Sequence, residues 1–184
     1  MENKFSHLNE NIISSEDVFD AKIFDLKKIT VTLPDKKEAE RFIIKHRGAS
    51  CILPVDGEDI IFVVQFRAAI NRLMLELPAG KLDSIDEDPI DCAIRELEEE
   101  TGYNAAEMIY LRKYIPAAGY SSEIIHLYAA HGLTKSIAHP DADEFVDIVR
   151  IPFDKAYEMC LSGEIEDSKT IIAIMTYYDR FIRK

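Results

Sequence analysis

The sequence predicts an α+β domain whose elements are arranged as an α/β/α sandwich. Strand signals dominate the first half, one strongly helical segment interrupts them at Pro89–Thr101, and two amphipathic helices close the chain. Strands, a helix, more strands and terminal helices bury their apolar faces best by packing in layers. With 184 residues, of which 47% are hydrophobic, the chain is long enough for one domain with a sizeable core.

The strand signals are runs of β-branched and apolar residues that end at turn residues. The first run covers residues 18–33 and stops at a Pro-Asp-Lys turn. Residues 38–45 are ambiguous, because their composition suits a helix and their position between strand signals suits an extended segment. Asp56-Gly57 is a strong hairpin signal between two of the runs. The remaining predicted strands are 50–55, 59–66, 73–77, 108–114, 124–130 and 145–151, and the turn Pro78-Ala79-Gly80 is predicted to stop the strand at 73–77.

The helix signal over residues 89–101 includes both of its ends. Asp88 fits the N-cap, Pro89 fits the first turn, and Gly102 supplies the stop. Steps of three and four residues predict one buried stripe. The stripe consists of Ile90, Ala93, Ile94, Leu97 and Thr101. Two further helices are predicted at residues 154–161 and 168–182.

Composition excludes several classes of protein. The formal net charge is -12, and a broad surface of that sign repels phosphate backbones, so we expect no nucleic-acid partner. No apolar run approaches the roughly 20 residues of a membrane span, and the polar start at residues 1–16 does not resemble a signal peptide. Cys51, Cys92 and Cys160 are widely spaced, which favours free thiols in a reducing cytoplasm over a zinc site or disulfide framework.

The predicted helix carries a concentrated acidic face. Glu96 and Glu100 lie four residues apart, so both carboxylates project from the same side, and Glu99 lies beside them. Like charges at this spacing destabilise a helix unless something compensates them. Mg²⁺ does so well, because it prefers carboxylate oxygens and water and shares its coordination with substrate phosphates. A solvated, Glu-rich surface is the alternative interpretation.

The segment around this face resembles the Nudix box. That motif has a Gly, a short loop, a Glu, seven residues, Arg-Glu, two residues, Glu-Glu, one residue, then Gly and an apolar residue. The matching residues here are Gly80, Glu87, Arg95, Glu96, Glu99, Glu100, Gly102 and Tyr103. Six residues separate Gly80 from Glu87, whereas the family has five. We interpret the difference as a loop insertion; the alternative is that Asp86 takes the first acidic role.

Flanking segments resemble the ADP-ribose pyrophosphatase branch of the Nudix superfamily, and together they extend from about residue 18 to the end of the chain. His-Arg-Gly-Ala at 46–49 is similar to a His-Pro-Gly-Ala stretch, with Arg47 in place of the proline. The other matches are Gln-Phe-Arg at 65–67, Leu-Glu-Leu-Pro-Ala-Gly-Lys-Leu-Asp at 75–83, the proline and Gly-Tyr-Ser-Ser-Glu within 115–128, and Asp-Glu-Phe-Val at 143–146.

The resemblance implies a Nudix fold with a mixed central sheet, a box helix and C-terminal helices, plus N-terminal antiparallel strands. Residues 1–16 are then an extension, and residues 17–184 a single hydrolase domain. The branch commonly forms homodimers through its N-terminal strands, which here lie within residues 17–46. A homodimer is therefore expected.

The resemblance also implies roles for individual residues. Mg²⁺, with Mn²⁺ as a substitute, would be bound by Glu96, Glu100, Glu99 and the backbone carbonyl of Ala79. Catalytic roles fall to Glu144, either as general base or to orient the attacking water, with Asp143 as its alternative, and to Glu99 and Glu87 in support. Substrate contacts fall to Arg67 at the diphosphate, Glu76 at the nucleoside, and Glu123.

The implied function is Mg²⁺-dependent hydrolysis of the diphosphate bond of a nucleoside diphosphate sugar. ADP-ribose, split to AMP and ribose 5-phosphate, is the leading substrate, and another sugar nucleotide such as GDP-mannose is the alternative. A catalytically silent Nudix domain that senses a nucleotide is an alternative of another class. The presence of Glu96, Glu99 and Glu100 argues against the sensor, since silent domains usually lose box glutamates.

Overall fold

The computed structural model describes residues 4–21, 24–139 and 145–183. The chain divides into two compact units. The first combines Met1–Arg47 with Ile115–Ile124, and the second combines Gly48–Tyr114 with Ile125–Lys184. The N-terminal strand region and a later loop segment therefore belong together, apart from the larger unit.

The first unit contains a three-stranded antiparallel sheet, preceded by a short 3₁₀ turn. Its strands are β1 (Asn11–Asp20), β2 (Asp25–Thr32) and β3 (Glu38–Lys45), in the order β1-β2-β3. The ambiguous segment is thus a strand, and the first strand begins well before residue 18. Every residue of β1 is exposed, whereas β2 buries Ile29 and Val31. Pairing with neighbouring strands decides both the extended conformation of residues 38–45 and the early start of β1, and the sequence of a single segment does not reveal that pairing.

The second unit is built on a mixed seven-stranded sheet. Its strands are β4 (Ala49–Asp56), β5 (Asp59–Arg67), β6 (Arg72–Glu76), β7 (Ala79–Lys81), β8 (Tyr103–Tyr114), β9 (Ile125–Lys135) and β10 (Val146–Pro152). The order is β10-β5-β4-β9-β8, with β6 paired to β5 and β7 paired to β4. The β4–β9 pair is parallel, and the other named pairs are antiparallel.

Two turn predictions in this sheet have different outcomes. The hairpin between β4 and β5 turns at Asp56-Gly57 as predicted, with Gly57 at a φ of 66°. Residues 79–81 do not only stop the preceding strand, because they pair again with β4 as β7. The NH group of Ile52 donates to the carbonyl of Pro78 at 2.9 Å, which fixes the start of this short strand.

Helices cover both faces of the sheet in the second unit. They are α1 (Pro89–Thr101), α2 (Phe153–Ser162) and α3 (Ser168–Tyr177), and a π-helical turn at Tyr178–Ile182 follows α3. Side chains alternate along β4, so that Cys51 and Leu53 pack in the core under α2 and α3, and Ile52 packs under α1. The unit is therefore an α/β/α sandwich. In the described part of the chain no helix is long and apolar enough to span a membrane.

The bounds and caps of α1 match the prediction, and its buried face matches in part, since Ala93, Leu97 and Thr101 of the predicted stripe are buried. Asp88 accepts a hydrogen bond from the NH group of Ile90, and Gly102 ends the helix in the left-handed region. Ile94, predicted to be buried, is 45% exposed, while Glu96 and Glu100 are only 8% and 3% exposed. The helix is rotated so that its acidic residues face the protein. Burial of two carboxylates requires compensation.

We predict that Gly102→Ala lowers the free energy of unfolding by about 1–2 kcal/mol, because a left-handed backbone is unfavourable for a residue with a Cβ. The new Cβ would also lie 3.1 Å from the amide nitrogen of Ala138. Gly57→Ala is the matched control, since Gly57 has the same φ of 66° and open space around its Cβ position. Urea unfolding measures both variants. Equal losses would contradict the steric part of this explanation.

Candidate active site

The carboxylate of Glu96 lies directly over Gly80. A Cβ placed on Gly80 would fall 2.0 Å from both Cδ and Oε1 of Glu96, far inside van der Waals contact. Glycine at position 80 therefore leaves room for the carboxylate of Glu96 in this position, and a larger residue would displace the end of that side chain.

The carboxylate of Glu100 is fixed against the neighbouring residue. Its Oε2 accepts a hydrogen bond of 2.9 Å from the NH group of Ala79. Glu96 and Glu100 thus contact the adjacent residues Ala79 and Gly80 from the same helix face. Two buried carboxylates are brought together next to the peptide whose carbonyl is predicted to bind metal.

Arg95 forms ion pairs with several of the acidic side chains near Ala79 and Gly80. Its Nη1 lies 2.6 Å from Oε1 of Glu96 and 3.0 Å from Oε2 of Glu99, and its Nη2 lies 3.4 Å from Oε1 of Glu87. Burial is the largest single effect on the pKa of Arg95 and lowers it, but the charge and hydrogen bond of Glu96, together with the smaller effects of its other neighbours, raise the pKa overall. The guanidinium stays charged and partly neutralises the acidic cluster.

The loop from Gly80 to Glu87 is closed by Glu87 itself. Oε2 of Glu87 accepts a hydrogen bond of 2.6 Å from the NH group of Asp83, and its Oε1 faces Arg95. Asp86, the alternative for the first acidic position, is exposed. This geometry supports the interpretation that the loop carries one inserted residue and that Glu87 keeps its place.

The donor set fits a divalent cation of the Mg²⁺ type. Among the described residues no three His, Cys, Asp or Glu side chains form a preformed metal site. Mg²⁺ does not require one, since it is commonly held by one or two carboxylates and completes its coordination with water and substrate phosphates. Glu96 and Glu100 supply two carboxylates at one point, and Glu99, at 38% side-chain exposure, lies on the same helix within reach of Arg95.

Arg67 and Glu76 form a bidentate ion pair. Nε and Nη2 of Arg67 donate to the two carboxylate oxygens of Glu76 at 2.6 and 2.7 Å. The hydrogen bond to Glu76 is the main cause of the raised pKa of Arg67, and the charge of Glu100 contributes as well, so Arg67 lies within electrostatic reach of the acidic site. Glu76 is 2% exposed and also accepts a hydrogen bond from Lys169. Its carboxylate is bound by two cations, which differs from the expected nucleoside contact.

The sequence analysis missed the residues at the start of α3. Asp167 caps the helix by accepting from the NH and hydroxyl groups of Thr170, and Lys169 lies 3.0 Å from the same carboxylate. Thr170 Oγ1 in turn accepts a hydrogen bond of 2.8 Å from the NH group of Leu77. An Asp-x-x-Thr pattern predicts only a helix cap. The available signal was Lys169, because a cation in the first turn of a helix opposes its dipole.

Glu123 lies in the first unit. Its carboxylate is 3.7 Å from Nδ1 of His46, and the NH group of His46 donates to Oγ of Ser122 at 3.1 Å. The NH group of Ile44 donates to the carbonyl of Tyr120, which attaches this segment to β3. The predicted base Glu144 and its alternative Asp143 lie outside the described residues.

Comparisons with known proteins agree with this geometry. A family model described as NUDIX domain matches residues 44–173. The chain is 39% identical to a methanol dehydrogenase activator of Bacillus methanolicus, over 90% of each chain. It is also 39% identical to an ADP-ribose pyrophosphatase of Bacillus subtilis (strain 168), over 91% of each chain. A GDP-mannose pyrophosphatase of Salmonella typhimurium is 31% identical, over 82% of this chain and 86% of that one.

The fold has a counterpart among solved structures. A crystal structure of an ADP compounds hydrolase superposes with a TM-score of 0.82 at 19% identity and covers 93% of each chain. It confirms the predicted α+β fold with a mixed central sheet. The family model covers well over half of the chain, and the relatives at 39% identity extend along nearly all of it, which confirms the predicted enzyme class. The chain belongs to the Nudix family and is a Nudix hydrolase.

Proposed function

We propose that the chain is a Mg²⁺-dependent pyrophosphatase that hydrolyses ADP-ribose to AMP and ribose 5-phosphate. The observation that carries the proposal is the meeting of two buried carboxylates, from Glu96 and Glu100, at Ala79-Gly80. Arg67 lies within electrostatic reach of Glu100. Carboxylates that hold a cation and a guanidinium that binds phosphate oxygens are the two groups needed by a diphosphate substrate.

In this proposal each side chain has one task. Mg²⁺ bound by Glu96 and Glu100, with Glu99 and the carbonyl of Ala79, supplies charge neutralisation at the diphosphate and acidifies water; Mn²⁺ can take its place. Arg67 donates a hydrogen bond to a diphosphate oxygen.

The remaining groups support or complete the reaction. Glu87 accepts a hydrogen bond from the loop and forms an ion pair with Arg95 on α1, so these contacts fix the loop against the helix. Glu144 accepts the proton of the attacking water, as its place in the acidic sequence Asp141-Ala142-Asp143-Glu144 suggests. One P–O bond to the bridging oxygen breaks as water adds, which gives the two monophosphates.

Relatives support the substrate class more strongly than the individual substrate. Proteins named ADP-ribose pyrophosphatase and GDP-mannose pyrophosphatase are both similar to this chain, and the former have the higher identity. The methanol dehydrogenase activator is as similar as the ADP-ribose pyrophosphatase of Bacillus subtilis, so identity alone does not select a substrate. GDP-mannose is the second candidate. The intact acidic residues disfavour a silent nucleotide sensor.

A homodimer and a cytoplasmic location are part of the proposal. β1 forms one edge of its sheet and is exposed along its whole length, with four large apolar side chains in contact with solvent. These side chains are Ile12, Ile13, Val18 and Phe19. An apolar edge strand invites pairing with another chain, and a second copy would cover it. The three cysteines are buried and free, as suits a reducing compartment.

A substrate panel tests the proposal. The full chain is incubated with Mg²⁺ and, separately, ADP-ribose, GDP-mannose, UDP-glucose, NADH and 8-oxo-dGTP, and the products are separated by chromatography. We expect the highest kcat/KM with ADP-ribose, with AMP and ribose 5-phosphate as products. A higher kcat/KM with another sugar nucleotide would overturn the substrate, and binding without turnover would favour the sensor.

We expect Glu100→Gln to lower kcat by about two to three orders of magnitude, the effect of removing one preorganised electrostatic partner of a transition state. The amide keeps the size of the side chain and removes its charge. Glu98→Gln is the matched control on the same helix, because Glu98 binds Ser136 and Asn104, away from Ala79 and Gly80. Steady-state kinetics with the preferred substrate compares the variants. Similar rates for both would refute the assignment of Glu100.

A further inference from the structure

We propose that the first turn of α3 positions Arg67 for the diphosphate. Asp167 forms an ion pair with Lys169, Lys169 forms one with Glu76, and Glu76 orients the guanidinium of Arg67. The proposal rests on the proposed function, in which Arg67 donates to a diphosphate oxygen. Lys169 is then a positioning residue that acts on the substrate only through Glu76 and Arg67.

The guanidinium of Arg67 is oriented by its partner. Nε and Nη2 are both used by Glu76, at 2.6 and 2.7 Å, so one edge of the planar group is fully occupied. Within residues 4–21, 24–139 and 145–183, Nη1 has no hydrogen-bond partner, and the side chain is 42% exposed. Because the fork is rigid, fixing one edge also fixes the direction in which Nη1 points. The free edge suits an anionic oxygen.

Lys169 is buried where packing alone would not favour a lysine. It lies in the first turn of α3, at the positive end of the helix dipole, and a lysine is rarely buried unless it is paired. Its ammonium group donates to Oε2 of Glu76 and lies 3.0 Å from Oδ2 of Asp167. Burial lowers the pKa of Lys169, but the charges of Asp167 and Glu76 outweigh it, so the pKa is raised. The ammonium group therefore remains charged beside Glu76.

The same helix turn also contacts the short segment between β6 and β7. Oγ1 of Thr170 accepts a hydrogen bond of 2.8 Å from the NH group of Leu77 and donates one of 2.6 Å to Oδ2 of Asp167. Leu77 directly follows Glu76 and precedes Pro78 and Ala79. α3 therefore fixes the segment that carries both the partner of Arg67 and the contact of Glu100.

A double-mutant cycle tests the proposal, using the full chain and ADP-ribose with Mg²⁺. Lys169→Met should lower kcat/KM by about 10- to 100-fold, the usual effect of losing a residue that orients a ligand-binding side chain. In the Arg67→Lys background, which lacks the planar fork, the same change should lower it by less than about threefold. Lys169→Arg, which keeps the charge, should recover part of the activity. An equal loss in both backgrounds would overturn the proposal, because Lys169 would then act without Arg67.

Controls separate positioning from folding. Arg150→Met breaks an exposed ion pair with Asp56 elsewhere in the second unit and should leave kcat/KM unchanged. Circular dichroism and urea unfolding show whether each variant is folded. If Lys169→Met does not fold, Asp167→Asn serves in its place. It should lower kcat/KM by a smaller factor, and this loss must again disappear in the Arg67→Lys background.

If the proposed function is wrong, the experiments give a different pattern of results. If the wild-type chain prefers another sugar nucleotide, the cycle is run with that compound, because the diphosphate is common to all of them. If no compound of the panel is hydrolysed, calorimetric titration of ADP-ribose into the same variants replaces the kinetics, with the same pattern expected in Kd. A wild-type chain that neither hydrolyses nor binds a diphosphate would overturn both proposals.

Discussion

The contact between the carboxylate of Glu96 and the backbone of Gly80 is the constraint on which the site depends. Because Gly80 has no Cβ, the carboxylate of Glu96 can lie against its backbone, while Glu100 accepts from the NH group of the neighbouring Ala79. The caps of α1 and the pairing of β7 with β4 then keep the two elements in place.

Charges of alternating sign surround the segment from Glu76 to Gly80. On one side Arg95 contacts the acidic residues of α1, and on the other Lys169 and Arg67 contact Glu76. A buried charge is costly unless it is paired, and the loss of one partner leaves the other uncompensated. In the proposed function, the carboxylates of α1 hold a cation and Arg67 contacts the diphosphate, both within the second unit.

Local signals in the sequence predicted much of this structure. The bounds of α1 and the hairpin at Asp56-Gly57 follow from caps and turn residues that lie next to each other in the chain. The burial of Glu96 in place of Ile94 could not be predicted, since it depends on the packing of α1 against a strand that the sequence presented as a turn. The pair of Glu76 and Lys169 spans 93 residues, and no pattern within either segment connects them.

In the proposed function, Glu96 and Glu100 form a site for a divalent cation. The most direct measurement is the free energy of unfolding of the full chain at increasing free Mg²⁺, compared with the Glu100→Gln variant. A cation that binds only the folded chain stabilises it by about 2.7 kcal/mol at 100 times its Kd. We predict a rise of this form for the wild type and a much smaller one for the variant. Equal responses, or no response in either chain, would contradict the claim.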